Sequence, residues 1–396
     1  MEIIGMKERN TPVEGMRGIA AVMVVLSHFM VAFYPAAYWG DDAMSHIANG
    51  LDIKLSQSPF SIFYAGNFGV CLFFVIGGFG IASQFFGGGY KGVRRIITNR
   101  FLRLFIPVLL ANGLCLVMMK MGYITAVSVS ETTGSSWLRG VYSFEADWRS
   151  WLFDSYYRVM FCGDSVYNSA FWTIAYSLYG SFLVALIVVI WGGIRERWII
   201  YAITCVVLWS MGTQGTINCN YFVAFIIGGM IADIKIHFQL KLKKIYGILL
   251  LVISCLLADY PIGVAPTNMY RFLDIGNRAA FLWHILGAGL MIFTIINFEE
   301  SGRILGSRGM QFLGKISFSV YLIHMQVLGS FSTFLFQKMF ESGISYSVSF
   351  TGTVALSLVL IVGIGWAVYE IIERRINKIL NYMYFRVFQS ERTVKN

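Results

Sequence analysis

Few ionisable side chains lie inside the apolar stretches of this 396-residue chain, so those that do mark where chemistry could occur. Arg17 and His28 come first. Eleven helical steps of about 100° bring both onto one face and about 16 Å apart along the axis. An arginine at the rim thus shares a face with a histidine well inside an apolar slab. A neutral imidazole there can take a proton from a hydroxyl, the general-base step that acyl transfer to an alcohol requires. The same ring could instead hydrogen-bond a neighbouring helix. Arg100 and Arg103, three residues apart, point the same way. Their guanidinium forks match phosphate oxygens and suit a multiply charged phosphate donor, although basic residues at a helix end also serve as membrane anchors. Ser317, Tyr321 and His324 follow the i, i+4, i+7 pattern and line one buried helix face. His284 has only Asn277 as a polar neighbour at helical spacing and reads as packing. No metal site is expected, because the five histidines are scattered and neither His-x-x-x-His nor Cys-x-x-Cys spacing occurs.

The elements that must position these residues are membrane helices. Residues of the AVILMFWYC set make up 57% and charged residues 13% of the chain, against about 45–50% and 25% in soluble domains, which excludes a soluble globular enzyme. Ten stretches approach the roughly 20 apolar residues needed to span a bilayer. They lie near 16–34, 65–85, 101–120, 169–191, 198–213, 219–236, 245–260, 278–297, 311–337 and 347–370. The fifth, sixth and seventh are short or interrupted by glycine. The expected fold is therefore an all-α polytopic bundle of about ten transmembrane helices, one membrane domain over 1–396.

With both termini placed in the cytoplasm, 23 of the 31 Lys and Arg fall inside and eight outside, while the acids divide ten and eleven. The positive-inside rule then accounts for the net charge of +10. No basic cluster sits in a segment long enough to fold as a nucleic-acid-binding face. Met1 to Glu14 is polar and the run after it is too long for a cleavable signal, so the first span is expected to stay. Cys71, Cys115, Cys205 and Cys255 lie inside apolar runs, and six cysteines in this length make no disulfide scaffold. Two outer segments stand out. Residues 35–64 hold Asp41, Asp42 and Asp52. Residues 121–167 hold eight charged residues with Trp137, Trp148 and Trp151, and are the candidate lid, suited to a saccharide or to lipid headgroups; interfacial anchoring of the aromatics is the alternative.

Together these segments resemble the acyltransferase 3 family of multi-pass membrane acyltransferases, many of which O-acetylate bacterial surface polysaccharides. The Arg, ten residues, His pattern is met by Arg17 and His28. Phe73-Phe74-Val75-Ile76-Gly77-Gly78-Phe79 resembles the family's Phe-Phe-Val-Ile-Ser-Gly-Phe, followed by the Arg-x-x-Arg pair Arg100/Arg103 and Pro107, and Ile316 to His324 matches the late Ile-Ser-Phe-Ser-x-Tyr-Leu-Ile-His segment. One position departs. In the fourth stretch the family typically has Trp-Ser/Thr-Leu/Met-x-x-Glu, whereas here Trp172 is followed by Ser177 where the Glu belongs. Serine hydrogen-bonds but carries no charge. With Thr173, Gly180 and Ser181 on its face and Tyr176 off it, Ser177 implies a roomier, mildly polar cavity.

The resemblance implies transfer of an acyl group, acetyl from acetyl-CoA, to a hydroxyl of a glycan or lipid-linked sugar such as O-antigen or exopolysaccharide, in a bacterial inner or plasma membrane. No cofactor is bound permanently: acyl-CoA is the donor substrate, held by Arg100 and Arg103 at the inner rim. His28 is the base, Arg17 positions phosphate or the helix end, and the route is either direct or through an acylated His28. With Asn396 close behind the tenth stretch, the chain resembles the stand-alone members that lack an appended soluble domain. The rival readings are a secondary transporter of a small solute, to which intramembrane histidines and broken helices also belong, and a family homologue with reduced activity.

Overall fold

The computed structural model describes residues 11–40, 44–262, 266 and 268–389. Asp41, Asp42 and most of the polar N-terminal lead lie outside the described residues. Numbering the long apolar helices in chain order, α1 is Thr11–Phe33, α2 Gly66–Lys120, α3 Trp172–Trp191, α4 Arg197–Met211, α5 Asn220–Phe238, α6 Lys244–Ala258, α7 Ala279–Asn297, α8 Arg308–Val327 and α9 Tyr346–Val368. Helix α8 runs through a widened turn, Leu328–Ser332, into Thr333–Glu341. Helix α9 does the same at Tyr369–Glu373 and continues as Arg374–Gln389. Among the described residues seven helices are long and apolar enough to cross a membrane, and α4 and α6 are shorter apolar ones.

Every one of the ten apolar stretches lies on these helices. The second and third share α2, which breaks at Gly89, where φ is 65° and ψ −162°. Only a residue without a Cβ adopts that conformation readily, and it lets the 55-residue element fold back as two arms. The fifth and seventh stretches form helices of 15 residues, about 22 Å long. Helix α4 is held at its start by Arg197, which donates to the wholly buried Asp233 of α5 through Nε (2.5 Å) and Nη2 (2.8 Å).

With lipid as apolar as the side chains, helices associate by close backbone approach at small residues. A Cβ on Gly78 of α2 would fall on the carbonyl of Phe225 in α5, and one on Gly228 of α5 on the carbonyl of Val75. Gly18 of α1 and Gly314 of α8 meet in the same way, a Cβ on Gly18 coming 2.8 Å from the Gly314 nitrogen. These two contacts set the spacing of the helices that carry the ionisable residues. Gly78→Val is accordingly expected to cost more than the roughly 1–3 kcal/mol of an overpacked side chain, because a backbone carbonyl cannot rotate aside. Thermal unfolding in detergent reads this; an unchanged midpoint would show that α2 and α5 can part without loss.

Candidate active site

A cavity of about 360 Å³ opens between α1, both arms of α2, α3, α8 and the extension of α9. Its lining repeats helix by helix. On α8, Gly314, Lys315, Ser317, Phe318 and Tyr321 form one face; on α3, Thr173, Ile174 and Ser177; on the second arm of α2, Ile96, Arg100, Arg103 and Leu104. Arg17 comes in from α1, and Glu373 and Asn377 from the α9 extension. Four cations therefore meet two carboxylates, Glu14 and Glu373. Arg17 pairs with Glu14 at 3.2 Å, and Lys315 reaches out to Glu370 at 3.2 Å. Arg100 is different. Its Nη2 donates only to the backbone carbonyl of Ser177 (3.3 Å), and its buried Nε has no partner among the described residues. A half-buried guanidinium with a buried, unpartnered Nε and one carbonyl as acceptor asks for an anion.

The cavity stops at Tyr321, whose hydroxyl bonds the carbonyl of Ala170 and lies 2.7 Å from the hydroxyl of Thr173. Beyond it stands a ladder of rings. Tyr321 and His324 have centroids 5.8 Å apart, His324 and His28 5.0 Å, and His28 and Trp137 5.6 Å. His324 Nε2 lies 3.3 Å from His28 Nδ1, His324 Nδ1 lies 2.8 Å from the Tyr321 carbonyl, and His28 Nδ1 lies 2.8 Å from the Val24 carbonyl. His324 is fully buried, whereas His28 keeps accessible surface and its Nε2 has no hydrogen-bond partner among the described residues. A proton acceptor thus sits at the end of a cationic cavity, past an aromatic wall.

The segment 121–167 covers this end. Ala126–Thr133, Ser136–Gly140 and Trp148–Phe153 are short helices, and Ser135 Oγ donates to the Val31 carbonyl (2.7 Å) while Tyr142 Oη donates to that of Met325 (2.7 Å). Buried Asp154 holds the segment together, accepting from Asn112 Nδ2 (3.1 Å), Ser165 Oγ (2.8 Å) and the Val166 amide (2.9 Å). Burial pushes its carboxyl above the ordinary carboxylate range against those hydrogen bonds and Arg158. A short helix, Pro59–Tyr64, and Leu51–Leu55 organise the segment between α1 and α2, where Asp52 is wholly buried and accepts from Ser45 Oγ (2.7 Å) and the His46 amide (2.8 Å).

The structure brings Arg17, Arg100, Arg103, Ser177, Ser317 and Tyr321 to one cavity and joins His28 to His324 behind it. It does not bring Trp172 there. That ring packs on Tyr176 and Tyr221 at 5.3 Å from each. On Ser177's face Thr173 reaches the cavity, but Gly180 is closed off by the Phe225 ring and Ser181 is fully buried, its hydroxyl donating to the Ser177 carbonyl at 2.5 Å. His284 is a satisfied buried histidine: Asn67 Nδ2 donates to its Nδ1 (2.7 Å), and its Nε2 donates to the Tyr260 carbonyl (2.9 Å). Those partners sit on other elements, so helical spacing could not show them. Sequence reasoning missed Lys315, Tyr369, Glu373 and Asn377, although the last three recur every four residues from the end of the tenth stretch onward, a polar stripe beside the basic cluster Arg374/Arg375/Lys378.

A family model described as an acyltransferase domain, that of the acyltransferase 3 family, matches residues 11–370. The chain belongs to the acyltransferase 3 family. The matched region carries the whole cavity except Glu373 and Asn377, and both histidines behind it. A stretch of 152 residues is 28% identical to acyltransferase clz18 of Cochliobolus lunatus, covering 34% of this chain and 31% of that protein. No solved structure matches the chain. Within the matched region Arg17, Arg100 and Arg103 line one cavity, and His28 meets His324 behind it.

Proposed function

We propose that this family member transfers acetyl from acetyl-CoA to a hydroxyl of a cell-surface glycan, O-antigen or exopolysaccharide, at a bacterial inner membrane. The two arms of α2 count as two spans and α4 and α6 as one each, giving ten, with both termini cytoplasmic so that the arginine-rich end of the cavity faces the donor. The observation that carries the reading is the cavity with cations at one end and the ladder from Tyr321 to His28 at the other. Arg100, Arg103, Arg17 and Lys315 bind the phosphates, and the pantetheine arm follows the apolar lining of Phe73, Phe74 and Ile174 toward Tyr321. The acceptor hydroxyl enters from the outer side beneath segment 121–167, which acts as a lid. His28 removes its proton, the oxygen attacks the thioester carbonyl, and the departing thiolate recovers that proton from His28 to leave free CoA and an ester. Family membership and the acyltransferase name of the Cochliobolus relative support acyl transfer.

The test is release of CoA thiol by membrane vesicles carrying the protein, with acetyl-CoA and the surface polysaccharide supplied. Thiol release that depends on the polysaccharide supports the reading; none with any acyl-CoA contradicts it. Ser177 yields a second expectation. A carboxylate at 177 would lie against Arg100 and satisfy the donors left for phosphate. Ser177→Glu should raise the KM for acetyl-CoA about ten-fold, the equivalent of one charge-assisted contact, with kcat nearly constant. An unchanged KM would remove Arg100 from the donor site.

A further inference from the structure

We infer that His324 is a positioning residue that fixes the tautomer of His28, an assignment that rests on the acyl-transfer reading. The hydrogen bonds leave one arrangement of protons. A carbonyl only accepts, so the contact of His28 Nδ1 with the Val24 carbonyl at 2.8 Å puts a proton on His28 Nδ1. By the same argument the 2.8 Å contact of His324 Nδ1 with the Tyr321 carbonyl puts a proton on His324 Nδ1. A neutral His324 then presents a bare Nε2, and this is the atom that faces His28 Nδ1 at 3.3 Å. The Nδ1–H of His28 is shared between two acceptors on different helices, Val24 of α1 and His324 of α8. Its Nε2 is left with a lone pair.

The two histidines therefore have unequal roles. His324 is fully buried and both its ring nitrogens are engaged, so no substrate hydroxyl reaches it. His28 retains accessible surface and an unpartnered Nε2. When Nε2 takes the hydroxyl proton, the imidazolium that forms holds its second proton against the His324 lone pair and the Val24 carbonyl, which disperses the charge over two helices. When the thiolate leaves, the Nε2 proton departs with it and the pair returns to its starting state. His324 neither gains nor loses a proton in the cycle.

Two substitutions and one spectroscopic measurement test this. In His324→Gln the amide oxygen can stand where Nε2 stands and accept the same hydrogen bond, whereas His324→Leu fills the space and accepts nothing. Loss of a tautomer-fixing partner costs up to about 10⁴-fold in the serine-protease triad; with the Val24 carbonyl still in place, His324→Leu should lower kcat about ten- to a hundred-fold at unchanged KM for acetyl-CoA, and Gln should restore it to within a few-fold of wild type. Independently of any activity, ¹⁵N-histidine spectra of the wild-type protein in nanodiscs, assigned with His28→Gln, should show Nδ1 of His28 protonated and Nε2 bare, and His324→Leu should populate the other tautomer. A wild-type His28 protonated on Nε2, or a Leu variant with wild-type kcat, overturns the positioning role. A bare Nε2 in a protein that transfers no acyl group from any acyl-CoA overturns the acyl-transfer reading instead, and with it His324's part in a reaction.

Discussion

His28→Ala is expected to lower acyl transfer by the 10²–10⁴-fold that a positioned general base contributes, about 3–5 kcal/mol of transition-state stabilisation, while the protein still inserts and folds. No other described group is placed to take over. His324 is fully buried with both nitrogens engaged, His284 is satisfied by Asn67 and Tyr260, and the cavity's ionisable groups are cations, the carboxylates Glu14 and Glu373, and the phenols Tyr321, whose hydroxyl already bonds the Ala170 carbonyl, and Tyr369, which lies against Lys315. The fold should tolerate the loss. His28 bonds the Val24 carbonyl of its own helix, so its removal leaves only the His324 Nε2 lone pair unsatisfied, a cost of about 1–3 kcal/mol. Initial rates of CoA release with saturating polysaccharide, on protein shown to be monodisperse, read the effect. A variant within ten-fold of wild type would move the base elsewhere.

The paired change Arg100→Ala, Arg103→Ala should act on the donor and leave the orientation of the chain intact. Hydrogen bonds to charged groups contribute about 1.5–3 kcal/mol each, so the KM for acetyl-CoA should rise at least a hundred-fold if both guanidiniums hold phosphate, with kcat falling less. Orientation should survive because Lys91, Arg94 and Arg95 remain on the same arm of α2. Arg94 has its own anchorage, its Nε donating to the Tyr384 hydroxyl at 3.0 Å and its guanidinium lying 4.7 Å over Phe388. Isothermal titration with CoA, beside accessibility labelling of a terminal cysteine tag, separates the two roles. Normal CoA binding together with mixed orientation would return both arginines to membrane anchoring.

Much of this site could be read from local spacing. The eleven helical steps from Arg17 to His28 place one at the cavity rim and the other past its end, as helical geometry requires. Ser317, Tyr321 and His324 are all buried on one face of α8, yet the stripe divides between the cavity and the histidine pair. The division comes from what α8 meets: Thr173 of α3 at the level of Tyr321, and His28 of α1 one turn further on. Nothing in the spacing of either helix announces a contact between residues 296 positions apart. The same holds for His284, whose partners come from α2 and from the end of α6, and for Asp154, whose burial depends on Asn112. Apolar periodicity marked all ten stretches but could not show that two share α2, because the break at Gly89 is a backbone event. The shortness of α4 and α6 was legible, but the anchor of α4 was not, since Arg197 and Asp233 lie 36 residues apart and find each other only in the folded bundle.

Mass spectrometry of surface polysaccharide from cells with and without the gene is the most direct test of acyl transfer to a glycan. Repeat units heavier by one acetyl group are expected only where the gene is present, and that added mass should be lost on mild alkaline treatment, which cleaves an O-ester. Identical spectra from the two strains, or an acetyl group that persists when the gene is deleted, would contradict that transfer.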